Sequence, residues 1–285
     1  MDESLEFDPY HPDYLKDPYP TLARFRTGRP IFYDENWRLT FFTKYEHIKS
    51  ILKDRQKFGR DFRHQLSVDD VDAGLVDRIF PSDAPLWVKY VRESFMDHEP
   101  PRHTRFRNLV SQAFAILTLN AGHEATVLAL GNALLALANH PDQYKLLVEK
   151  PDLVPNAVDE LLRFDTPLQL FDRWILEDCE VDGNRLKKGQ KVGLLLGSAN
   201  HDETAFEGNT EILDLTRDSA NHIAFGAGLH HCVGAPLAKL ELETALSVLV
   251  SKARSIAIDG PIPERKRSLV FRGLSKLSLR LDPKE

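Results

Sequence analysis

The residues best placed to do chemistry lie in the run Phe225-Gly-Ala-Gly-Leu-His-His-Cys-Val-Gly-Ala-Pro-Leu-Ala-Lys-Leu-Glu241. Gly226, Gly228 and Gly234 let the backbone fold tightly around Cys232, and an apolar-periodic stretch from Leu237 to Val250 reads as a helix. Cys232 therefore sits just ahead of a helix start, where unpaired N–H groups and the partial positive charge of the helix end favour a thiolate. A thiolate in a dry glycine loop is suited to ligate iron.

Three other readings compete for the same residues. A dinucleotide fingerprint fails, because His231 stands where its third glycine is required. A zinc site fails on geometry: His230, His231 and Cys232 are consecutive and cannot all face one tetrahedral ion, and the chain has no CxxC or HxxxH pair to assist them. A plain turn before a helix, with a structural cysteine, needs neither so many glycines nor the flanking His230.

Other candidates lie upstream. His103 and Arg107 fall one turn apart on a helix that starts at Pro101, so both reach the same anion, although a solvated basic face explains them equally. The run Ile116 to Ala138 is apolar nearly all round, yet Asn120, His123, Glu124 and Thr126 interrupt it, which argues for a buried helix rather than a membrane span. A carboxylate such as Glu124 in that setting is costly unless paired or hydrated, and so points to a task. Glu160 and Arg163 have the spacing of a helical ion pair.

These residues need elements to position them. The proline-rich opening (residues 1 to 30) reads as an extended arm with one short helix between Pro20 and Gly28. Strands follow from Ile31 to Thr43 around an Asp34-Glu-Asn36 turn, then a helix from Tyr45 to Asp54. Residues 55 to 100 read as loops and short helices. Leu168 to Leu176 reads as a strand carrying Arg173, Asp182-Gly183 as a hairpin turn, and Val192 to Leu196 as a buried strand. Between Pro101 and Pro141 there is no proline or turn cluster and the only glycines are Gly122 and Gly131, so local pattern predicts one fused helix.

Composition sets the bounds. The chain has 285 residues, 42% hydrophobic and 28% charged, enough for a sizeable core. A net charge of −6 and a pI near 6.0 argue against a nucleic-acid partner. The polar, acidic opening carries no apolar targeting segment, so a cytoplasmic location is expected, with no membrane attachment and no disulfide between Cys179 and Cys232.

Phe225, Gly226, Gly228, His230, Cys232, Gly234, Leu237, Ala238 and Glu241 together fill the haem-binding loop pattern F-G-x-G-x-H-x-C-x-G-x-x-L-A-x-x-E, and the chain thereby resembles the cytochrome P-450 family in its bacterial soluble form. Four further stretches resemble family elements in the expected order: Asp17-Pro-Tyr-Pro20, Pro101 to Phe114, Ala121-Gly-His-Glu-Ala-Thr126 and Glu160-x-x-Arg163. The resemblance implies a mainly α fold with a small β domain, in one shortened domain over 1–285, with the arm and small sheet in 1–60 and the haem-binding helical core in 101–285. It also implies haem b with Cys232 as axial thiolate, and His103, Arg107, Arg173 and His230 on the haem propionates. Glu124 and Thr126 would serve proton delivery. The expected partners are a small organic substrate, O2, and a ferredoxin- or flavin-type electron donor.

Two departures stand out. Ala125 occupies the position of the family's oxygen-side threonine, and Thr126, about 100° further round a helix, is not its equivalent. Only Ala115 to Asn120 separate two motifs between which the family normally places several helices, the roof of the substrate pocket. A monooxygenase is therefore expected, with a catalytically incomplete haem-binding remnant as the alternative.

Overall fold

The computed structural model describes residues 5–60, 104, 115–261 and 263–284. Two short helices open the chain, α1 (Pro12–Lys16) and α2 (Tyr19–Gly28), where the sequence pattern suggests one. The added helix has a local cause: Pro12 is pre-set for a first turn, and the His11 side chain accepts the Asp13 N–H. Strands β1 (Ile31–Asp34) and β2 (Leu39–Phe42) form the expected hairpin, followed by α3 (Tyr45–Lys53) and the two-residue β3 (Phe58–Gly59).

After the described gap come α4 (Ala115–Asn139), α5 (Pro141–Glu149) and α6 (Val154–Phe164). Helix α4 runs unbroken through Gly122 and Gly131. Its predicted fusion with a helix over 101–114 lies outside the described residues. The chain continues through β4 (Leu170–Ile175), β5 (Cys179–Val181), β6 (Asn184–Leu186), β7 (Lys191–Leu195) and the single turn α7 (Leu196–Ala199). An irregular stretch then leads to the glycine loop, helix α8 (Ala235–Lys252), and the antiparallel pair β8 (Ala253–Ile258) and β9 (Leu279–Pro283).

The sheet orders its strands β1-β2-β7-β4-β3. Among the described residues only the β2–β7 pair is parallel. Asp182 and Gly183 both take positive φ in the β5–β6 turn, as a two-residue hairpin connection requires. The expected architecture, mainly helical with a small sheet, is what is found.

Two buried ionic centres tie the arm and the loops to the helices. Glu160 accepts both Arg163 Nε (2.7 Å) and Nη2 (3.0 Å), together with the Asp214 N–H, Arg217 Nε and the Ser219 hydroxyl. Arg163 also donates to the carbonyls of Asn200 and Thr210. Both side chains are fully buried, so this pair anchors the irregular stretch ahead of the glycine loop.

The second centre is Asp165, which accepts Arg265 and Arg272 at 2.7 Å each, and Tyr19 Oη. Burial alone would raise its carboxyl; the two guanidiniums outweigh that and hold it below its ordinary value of 3.8. A depressed folded-state pKa stabilises the fold above the unfolded value, and the contribution is lost as pH falls through the folded one. Stability should therefore decline below about pH 4, and Asp165→Asn should both lower it at neutral pH and flatten that decline. Urea unfolding as a function of pH checks this; parallel pH curves for the two proteins would contradict it.

Candidate haem-thiolate site

The glycine loop is built from its hydrogen bonds. Gly226 N–H donates to Ile223 O (2.9 Å), His231 N–H to Gly228 O (3.1 Å), and Cys232 N–H reaches back to Phe225 O (3.0 Å), closing the loop on itself. Gly226 and Gly228 adopt φ of +72° and +70°, a region that L side chains avoid. A Cβ on Gly228 would also lie 2.3 Å from Leu52 O at the end of α3. Gly228→Ala is thus expected to cost about 2 kcal/mol or more, read as a lower urea midpoint.

Cys232 stands three residues ahead of α8, as the spacing predicts. The expectation of a dry setting is not met, because its thiol is exposed.

Beside the loop lies β4. The Phe171 ring contacts Gly226, where a Cβ would approach Phe171 Cε2 to 3.2 Å. Arg173, two residues along the strand, is 2% exposed, which excludes a solvated strand arginine. Its guanidinium carbon lies 5.5 Å from the Phe171 ring centroid and its Nη1 donates to Asp172 O. His230 ends the short 3-10 turn Gly228–His230 and is half-buried. The loop thus brings Phe225, His230, Cys232 and Gly234 together, and β4 adds Arg173.

One cation here was missed in the sequence. Arg60 follows β3, whose Gly59 pairs with Trp174, and its guanidinium carbon lies 5.6 Å from the same Phe171 centroid. Nothing in the local pattern marks Arg60, because only the β3–β4 pairing carries it to Arg173.

The residues of the opposite face are placed differently. Glu124 was expected in a buried helix, but its side chain is 58% exposed and pairs with Lys266 Nζ at 3.3 Å. His123 and Val127 are exposed as well, while Ala125 and Thr126 are half-buried. Burial of α4 becomes continuous only from Leu128, against which Gly273 packs so closely that a Cβ would meet Leu128 Cδ2 at 2.2 Å. An all-round apolar helix needs cover on all sides, and the turn at 123–127 has cover on one. His103 and Arg107 lie outside the described residues.

This arrangement fits a haem. Cys232 supplies one soft donor at the end of the loop, which suits an ion that brings its other ligands with it. Two guanidiniums beside the loop suit carboxylates at the edge of such a group.

Comparison with known proteins agrees. Residues 148–270 match the family model described as Cytochrome P-450. The chain is 41% identical over 175 residues to a vitamin D(3) 25-hydroxylase of Pseudonocardia autotrophica, covering 60% of this chain and 43% of that protein. It is 39% identical over 172 residues to the 6-deoxyerythronolide B hydroxylase of Saccharopolyspora erythraea, covering 60% and 42%. The chain therefore spans about two-fifths of the length of these curated relatives. In fold it is similar to CalO2, with a TM-score of 0.84 at 20% identity over 98% of this chain and 99% of that one. It is also similar to the cytochrome P-450 PksS of Bacillus subtilis, with a TM-score of 0.75 at 22% identity over 97% and 100%. Among the described residues no helix is long and apolar enough to cross a membrane. The cysteine loop, the buried Glu160–Arg163 pair, the segment 148–270 and the fold are thus all similar to those of cytochrome P-450 proteins.

Proposed function

We propose that the chain is a haem-thiolate monooxygenase with an open oxygen side. The observation that carries this reading is Cys232 at the end of a glycine loop closed by its own N–H on Phe225 O, with Arg173 and Arg60 on the Phe171 ring that flanks the loop. Haem b, when bound, supplies activation of O2 and insertion of one oxygen atom into a small organic substrate, with electrons delivered by a ferredoxin- or flavin-type donor. The two curated relatives are named as hydroxylases, which supports that class of reaction.

Each residue has a task in this reading. Cys232, ahead of the α8 N-terminus that favours its thiolate, would be the residue that holds the haem iron. Arg173, Arg60 and His230 hold the haem carboxylates, with His103 and Arg107 completing the set. Gly226 and Gly228 keep the loop low enough for a flat group to lie on it. Glu124, open to water and steadied by Lys266, takes up protons from solvent. Thr126 provides the nearest hydroxyl on the same helix, since Ala125 has none.

The exposed 123–127 turn excludes water poorly, which weakens protection of the reacting centre. Product formed per reducing equivalent should be low. Ala125→Thr should raise it several-fold, a part of the roughly 100- to 10,000-fold that a fully positioned general acid or base contributes. A surrogate ferredoxin system and a panel of small hydrophobic substrates test both statements. Oxygenated product above the haem-free control supports the enzyme. Its absence in haem-loaded protein, also with peroxide as oxidant, would favour the second reading, a haem-binding remnant, to which the exposure of His123, Glu124 and Val127 also points.

A further inference from the structure

Asp159, one residue before the Glu160 of the buried ion pair, contacts both stems of the cysteine loop. Its Oδ1 accepts His222 Nε2 at 3.3 Å and Lys239 Nζ at 2.5 Å. His222 lies three residues upstream of Phe225, where the loop begins, and Lys239 lies in the first turns of α8, where the loop has ended. The carboxylate is 15% exposed, the imidazole 2% and the Lys239 side chain 33%, so the His222 contact is buried and the Lys239 contact lies at its rim.

The tautomer of His222 follows from its partners. Its Nδ1 accepts the Ala224 N–H at 3.1 Å, and a backbone N–H can only donate. The imidazole proton therefore sits on Nε2 and points at Asp159, which fixes the ring plane. That ring packs at 5.6 Å from Phe225, and Phe225 O is the acceptor of the Cys232 N–H. One carboxylate thus orients the upstream stem through His222 and Ala224 and the downstream stem through Lys239. Burial would raise the Asp159 carboxyl, and His222 and Lys239 outweigh it, keeping it charged for both tasks.

We propose that Asp159 is a positioning residue for the Cys232 thiolate, acting as a latch that holds the two stems of the loop at a fixed separation. Its neighbour Glu160 serves the fold at large; Asp159 serves the loop. The inference rests on Cys232 being the iron ligand for its spectroscopic consequence, but the latch itself is a property of the apoprotein.

Two measurements on the full chain separate the two. In apoprotein, Asp159→Ala should speed hydrogen exchange of the Ala224 and Cys232 amides about tenfold, leaving β8 and β9 unchanged. In haem-loaded protein, Asp159→Ala should shift a large share of the reduced carbon-monoxide complex from the red-shifted thiolate band to the shorter-wavelength band of a weakened or protonated ligand. Lys239→Met, which releases only the downstream stem, should do the same in part, and the double variant should add little to Asp159→Ala. Wild-type exchange at Ala224 and Cys232 in Asp159→Ala would overturn the latch, as would faster exchange spread evenly through α6, α8 and β8. If wild type lacks a thiolate band while the amide effect is present, the haem-thiolate reading fails and the latch stands.

Discussion

Cys232→Ser is expected to abolish the red-shifted carbon-monoxide band and to bring oxygenated product to background, while leaving the fold intact. The separation of effects follows from the loop. The thiol is exposed, and the bond that closes the loop is made by the Cys232 N–H and Phe225 O, neither of which the substitution removes. Stability by urea unfolding should therefore change by no more than about 0.5 kcal/mol, the usual range for an exposed side chain. A hydroxyl in place of the thiol is a poor donor to haem iron, so the thiolate signature should vanish completely rather than in part. Persistence of the band in the variant would move the iron ligand elsewhere.

Glu160→Ala should have the opposite profile, a large loss of stability that removes function only by removing the fold. The carboxylate accepts five hydrogen bonds from Arg163, Arg217, Ser219 and the Asp214 backbone, and it is fully buried. Deleting it leaves the Arg163 guanidinium buried with only the Asn200 and Thr210 carbonyls as described hydrogen-bond partners. Breaking a buried pair from one side costs about 3–5 kcal/mol. The expected result is a urea midpoint shifted far down, with the irregular stretch 200–224 opening first. A loss below about 1 kcal/mol would show that Arg217 and Ser219 are held by other means.

Where chemistry and local conformation coincide, the sequence was legible. Gly226 and Gly228 of the loop, the Asp182-Gly183 hairpin and the Glu160–Arg163 spacing each encode a backbone requirement or a single-turn contact, and each is found as read, whereas Gly234 has an ordinary φ of −86°. What depends on distant pairing was not legible. Arg60 joins Arg173 only because β3 lies beside β4, and Asp159 meets His222 and Lys239 across 63 and 80 positions of sequence (222 − 159 and 239 − 159).

Solvent exposure was the hardest feature to foresee. The apolar pattern of α4 predicts burial on every side, yet whether Glu124 is buried depends on what packs over it, and in this chain one face of the 123–127 turn meets water. The same helix thus carries a run, Ala121 to Thr126, that resembles the cytochrome P-450 oxygen-side pattern except at Ala125, and it has an open flank in space. That contrast is why ligation and turnover are separate questions for this protein.

The most direct test of the account is the absorption spectrum of the reduced, carbon-monoxide-bound protein after haem loading. Ligation by Cys232 predicts a Soret band displaced far to the red of that given by histidine-ligated haem proteins, present in wild type and missing in Cys232→Ser. A band at the histidine-type position in wild type, or no haem uptake at all, would contradict it.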